Sequence, residues 1–199
     1  YAIQHTDHVQ SLILRGIFLC RKKEIHWFYQ EGCSKIYPDL WKKYIEQVPL
    51  DKRSDMVKAY YELLTHEDER IRLQAAIAWS TWEAGTSKLM IDPNSIADFE
   101  DPNLSLAFAR IECHYFINQA FMPADDWLLQ QAETKLIDVP TTIVQGRYDV
   151  VCPAETSWEL KEALPHCKYI LCQDCGHSSL EKGISSALVI ATEEMKETW

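Results

Sequence analysis

From residue 138 onward the hydrophobic pattern changes period in a regular order. Pro140 to Val144 is a continuous Thr-rich and apolar run of strand length. Pro153 to Leu164 is amphipathic at helical spacing, with proline at its start, where helix openings favour it. Lys168 to Cys172 is a second short apolar run, and Gly183 to Lys196 is a closing helix. Strand, helix, strand, helix leaves few topologies open: a parallel pair joined by a right-handed crossover, with chemistry collecting beyond the carboxyl ends of the strands.

The rest of the chain is organised around that unit. Residues 9–18 (V-Q-S-L-I-L-R-G-I-F) read as a short buried strand closed by a glycine turn. Residues 24–133 hold no convincing strand. Helical spacing appears in Ser54 to Leu64, Glu67 to Trp82 and Asn103 to Gln119, punctuated by Pro38, Pro93, Pro102 and Pro123. A helical stretch is therefore inserted between pieces of an α/β sheet.

Charge narrows the partners. Asp and Glu outnumber Lys and Arg by 30 to 20, for a net charge of -10, so no nucleic-acid partner is expected. No run reaches the length of a membrane span, so no membrane partner is expected either. Seven cysteines with no framework spacing fit reduced thiols and a cytoplasmic location. The first residues, Y-A-I-Q-H-T-D-H, read as part of a fragment and say little about targeting.

Two residues draw a chemical reading. Asp149 follows Gly146 just past one strand, and His177 follows Gly176 just past the next. One crossover separates them, so both loops can emerge on the same sheet edge. A buried carboxylate there would fix the tautomer of the imidazole and stabilise the imidazolium during proton transfer. Glycines at 146 and 176 would permit sharp exits from the strands. Taken singly, the aspartate also fits a turn and the histidine a surface position.

These segments carry a resemblance. V-Q-G-R-Y-D-V-V-C-P and C-G-H-S resemble the Asp and His segments of the proline iminopeptidase (prolyl aminopeptidase) family of serine peptidases, whose fold is that of the α/β-hydrolases. L-I-L-R-G-I-F at 12–18, H-W-F-Y-Q-E-G at 26–32, W-S-T-W-E at 79–83 and L-A-F-A-R-I-E-C-H-Y-F at 106–116 resemble that family's cap entry and cap motifs. The resemblance implies a partial α/β-hydrolase fold, with a parallel sheet incomplete on its N-terminal side. Residues 1–23 and 138–199 would form the core, and residues 24–137 an all-helical cap. No Gly-x-Ser-x-Gly occurs in the 199 residues. The chain order of the fold, Ser then Asp then His, puts the nucleophile upstream of Tyr1, by about ten residues. The chain alone is therefore expected to lack peptidase activity, and its open sheet edge is expected to weaken folding.

The resemblance further implies release of N-terminal proline from small peptides through an acyl-enzyme, with no metal and no organic cofactor. Glu83 and Glu112 match the family's amine-binding acids. Phe18 and Phe28 match positions lining its proline slot, and Arg15 is offered as a support for Glu83. From the residues alone, Glu83 and Glu112 also fit a helix surface or an ion pair with Arg110 or Arg15, and Phe18 and Phe28 fit a plain core. Trp27, Trp79 and Trp82 read as cap core. Cys172-Gln-Asp-Cys175 has a redox or zinc spacing but no second half. Cys113 and Cys175 sit beside the site residues, which predicts sensitivity to thiol reagents. Two further functions stay open: a catalytically dead binding protein on the same scaffold, and another α/β-hydrolase reaction such as ester hydrolysis.

Overall fold

The computed structural model describes residues 1–99 and 101–196. Its elements, in chain order, are β1 (Leu12–Arg15), α1 (Lys22–Tyr29), α2 (Pro38–Ile45), α3 (Met56–Leu64), α4 (Glu69–Thr86), α5 (Pro93–Asp98), α6 (Pro102–Ile117), α7 (Trp127–Lys135), β2 (Thr141–Gly146), α8 (Ala154–Ala163), β3 (Lys168–Cys172) and α9 (Lys182–Lys196). Contacts divide the chain into two units, one of Tyr1–Leu19 with Met122–Trp199 and the other of Cys20–Phe121.

The first unit is built on a parallel sheet ordered β1-β2-β3. Leu12 pairs with Thr141 and Arg15 with Val144, while Thr142 pairs with Lys168 and Gly146 with Cys172. Every residue of β2 is buried, as a central parallel strand requires. Successive side chains point to opposite faces. Ile143 packs with Leu136, Leu160 and Leu164, from the α7 and α8 side, whereas Val144 packs with Ile184 and Ala187 of α9. Both faces of the sheet are thus covered by helices, and each fully buried Ile or Leu contributes about 1.5–3 kcal/mol.

Two expectations change here. The strand expected within residues 9–18 is shorter, at Leu12–Arg15, and half-buried rather than buried. It pairs only with β2 among the described residues, so it is an edge. Helix α7, drawn from sequence into the helical stretch ending at 137, packs on α8 and belongs to the sheet unit. Its apolar stripe serves a sheet-facing helix as well as a cap helix.

The second unit is helical. Caps set its helix starts. Asp55 accepts from the Lys58 N–H, Asp68 from the Arg70 N–H, and Asp101 from those of Asn103 and Leu104, with Pro102 opening α6. Its core is aromatic. Trp79, Trp82, Tyr44, Tyr60 and Phe28 are all almost fully enclosed. Tyr44 and Tyr60 stack with centroids 4.4 Å apart, and the Tyr60 hydroxyl donates to the Tyr44 carbonyl at 2.7 Å. No helix among the described residues is long and apolar enough to cross a membrane.

Candidate active site

In the sheet unit the ends of all three strands meet. Asp149 lies three residues beyond β2, His177 five beyond β3, and Arg15 closes β1. Asp149 is buried. Its Oδ1 accepts from the backbone N–H groups of Val151 (3.0 Å) and Cys152 (2.8 Å). Its Oδ2 lies 2.9 Å from His177 Nδ1 and accepts from Gln145 Nε2 at 3.4 Å. A carboxylate at that position assigns the proton of neutral His177 to Nδ1 and leaves a lone pair on Nε2. The Arg15 guanidinium meets that lone pair, with Nη2 2.9 Å from Nε2, and also donates to the His177 carbonyl at 2.8 Å.

Two glycines, Gly16 and Gly146, make the arrangement possible. Gly16 follows Arg15 with φ +56°, in the left-handed region, and a Cβ there would stand 3.0 Å from His177 Cε1. At Gly146 close approach is decisive rather than a sharp exit, since a Cβ would come within 2.0 Å of the Gly176 carbonyl oxygen. Arg15, offered from sequence to Glu83, instead spends its guanidinium on His177, because β1 ends beside the loop carrying that histidine.

The helical unit holds the second cluster. Glu83 lies on α4 and is 8% exposed, and its Oε1 accepts from the Tyr29 hydroxyl. Glu112 lies on α6 and its Oε2 accepts from Trp79 Nε1 at 2.9 Å. Burial, and then repulsion from Glu112, hold the Glu83 carboxyl well above the usual carboxylate range. Burial lifts Glu112 to about 7 against the downward pull of the Trp79 hydrogen bond. No salt bridge to Arg or Lys accompanies either carboxylate among the described residues. The ion-pair alternative is therefore not seen for either residue among the described residues; Glu83 is buried and Glu112 half-buried.

The aromatic candidates differ. Phe18 is half-buried on the segment after β1. Phe28 is 2% exposed and enclosed by Tyr29 and Trp82, at centroid distances of 4.9 and 5.4 Å. The expected reactive thiols are corrected. Cys113 is buried, its Sγ donates to the Val57 carbonyl at 3.4 Å, and burial pushes its thiol up to about 12. Burial raises Cys175 as well. Thiolate is the reactive form, so neither is primed for thiol reagents. No group of three or more His, Cys, Asp or Glu among the described residues could hold a metal.

Sequence reasoning missed Tyr29, Trp79 as a hydrogen-bond donor, and Gln145. A glutamine inside the apolar run I-V-Q-G, four residues before Asp149, was a legible signal. The two aromatic donors had none, because a ring in a core looks the same with or without a polar partner.

A model of the alpha/beta hydrolase fold family matches residues 1–184. The chain belongs to the α/β-hydrolase fold family. Among curated relatives of this chain, a probable proline iminopeptidase of Leptolyngbya boryana is 53% identical over 97% of the chain and 60% of its own length. Proline iminopeptidases of Arabidopsis thaliana and Neisseria gonorrhoeae are 47% and 39% identical, over 98% of the chain and 52% and 61% of their lengths. The chain thus spans roughly half to three fifths of the relatives it matches. A putative lipase from Acinetobacter baumannii AYE aligns over 99% of this chain and 57% of its own, with TM-score 0.51 and 17% identity, a likeness of fold alone.

Proposed function

We propose that the protein, completed by a nucleophilic serine upstream of Tyr1, is a prolyl aminopeptidase. The observation that carries this reading is the pair Glu83, buried, and Glu112, half-buried, two carboxylates whose charged forms are disfavoured by desolvation and that have no salt bridge to Lys or Arg among the described residues. Such a pair is costly unless a cation arrives to meet it. A peptide's free α-ammonium is the cation an exopeptidase must recognise, and an ester without an amine gives the pair nothing to bind. Proline iminopeptidase is also the name carried by the curated relatives above.

The chemistry proposed for the other cluster is general acid–base catalysis around an acyl-enzyme. The serine hydroxyl attacks the carbonyl of the N-terminal proline while His177 Nε2 takes its proton. The imidazolium then protonates the leaving amine, and water activated the same way releases proline. Asp149, fixed by two backbone N–H groups, keeps Nδ1 protonated and Nε2 basic. For this to proceed, the serine hydroxyl takes the place at Nε2 that Arg15 now holds. Of the two rings assigned to the proline slot, Phe18 has surface to offer and Phe28 has almost none. The contact of Arg15 on Nε2 is also what a catalytically silent binding protein would show, and the two readings part on turnover.

The acid pair makes the reading testable by pH. An ammonium favours ionised carboxylates, so a proton that Glu112 keeps below about 7 must leave as the amine binds. Prolinol carries the ammonium but no scissile bond. As a competitive inhibitor it should bind more tightly as pH rises through that value, because binding displaces the proton. A flat inhibition constant across the acid range removes the assignment.

A further inference from the structure

The amine-binding reading leaves open what makes the acid pair choose one kind of amine. The two donors beneath the pair supply an answer. Tyr29, at the end of α1, and Trp79, on α4, stack with centroids 4.5 Å apart and planes 19° from parallel. Each donates one hydrogen bond, Tyr29 to Oε1 of Glu83 and Trp79 to Oε2 of Glu112. Both rings are fully enclosed, at 3% and 0% exposure, so neither side chain can swing away. Neither donor can change its role. An indole N–H only donates. The Tyr29 hydroxyl is pushed well above its usual range, chiefly by burial and then by the two glutamates, so it stays protonated. The other oxygen of each carboxylate accepts no hydrogen bond from the described residues.

We propose that the Tyr29–Trp79 stack is a positioning and specificity device: it occupies one oxygen of each glutamate, so that two oxygens remain for the two N–H bonds of a prolyl ammonium. A prolyl N-terminus is a secondary ammonium with two N–H bonds. Every other common N-terminus is a primary ammonium with three. Two unshared oxygens meet the first completely, whereas the third N–H of the second must share an oxygen that already accepts from Tyr29 or Trp79, which is a weaker contact. The stack thus discriminates by acceptor count, alongside whatever the ring slot contributes by shape. This inference rests on the amine-binding role of Glu83 and Glu112.

Tyr29→Phe keeps the ring and the stack and removes only the donor. In the full-length protein, with folding checked by thermal melting, its KM for a prolyl arylamide should rise about tenfold while kcat stays within about twofold. The prolyl-to-alanyl ratio of kcat/KM should fall about tenfold, because the freed Oε1 of Glu83 serves the third N–H of the alanyl ammonium. A merely structural role would lower both substrates alike. If Tyr29→Phe does not fold, Trp79→Phe tests the same claim through Glu112. A folded variant with wild-type KM and wild-type ratio overturns the proposal. Glu83→Gln then separates the levels: if it erases the preference for a free amine, only the stack idea has failed. If it leaves that preference intact, the amine-binding reading has failed beneath it.

Discussion

Replacing Asp149 with Asn in the full-length protein is expected to lower kcat on a prolyl arylamide about 10⁴-fold, with little change in KM. The size follows from where the two oxygens of Asp149 are held. Oδ1 accepts from the N–H groups of Val151 and Cys152, so in the variant the amide oxygen stays there. The amide nitrogen must then take the place of Oδ2, 2.9 Å from His177 Nδ1. An N–H aimed at Nδ1 makes that nitrogen the acceptor and moves the ring proton to Nε2. The base is thereby lost, although the fold and the substrate contacts are kept. Steady-state kinetics on a variant with an unchanged melting curve reads this directly. A loss of tenfold or less would mean that Asp149 is only a turn residue capping its own loop.

Glu83→Gln and Glu112→Gln are expected to lower kcat/KM on prolyl arylamides by about 10²–10³ each, while sparing acyl esters that lack the amine. Glutamine keeps the shape and still accepts from Tyr29 or Trp79, so the loss isolates charge. Stability should move the opposite way. Burial raises the Glu112 pKa from 4.5 to about 7, so across that window the folded chain keeps a proton the unfolded chain has lost. Stability therefore falls as pH rises through the window and is flat above it. A glutamine does not ionise, so Glu112→Gln should stabilise the protein at mildly alkaline pH by on the order of 2 kcal/mol, and hardly at all in acid. A variant that is less stable and equally active would identify Glu112 as a structural acid. The residue would then be an ordinary helix position, as its sequence context alone allowed.

How far the sequence could be read depended on whether a residue's role is local. The strand Lys168–Cys172 was legible to the residue, because a short apolar run between a helix end and a turn admits little else. Asp149 and His177 stood out for the same reason: each follows a strand end within a few residues, and a parallel topology alone puts such positions on one edge. Helix α7 was assigned to the wrong unit because its stripe shows that it packs but not on what. Arg15 was legible in its place at the end of a strand but not in its partner. Its contact with His177 spans 162 residues of sequence and is set by β1 pairing beside β2. The roles of Tyr29 and Trp79 were hidden altogether. Each side chain does two jobs, packing by its ring and donating by its edge, and only the first leaves a pattern in the sequence.

Discrimination between a prolyl arylamide and its N-acetylated analogue tests the account at its centre. The full-length protein should cleave the free amine at least about a hundredfold more efficiently, and Glu83→Gln should bring the two substrates close together. Equal cleavage of both by the unaltered protein would contradict the account, because the acids at 83 and 112 would then have no cation to meet.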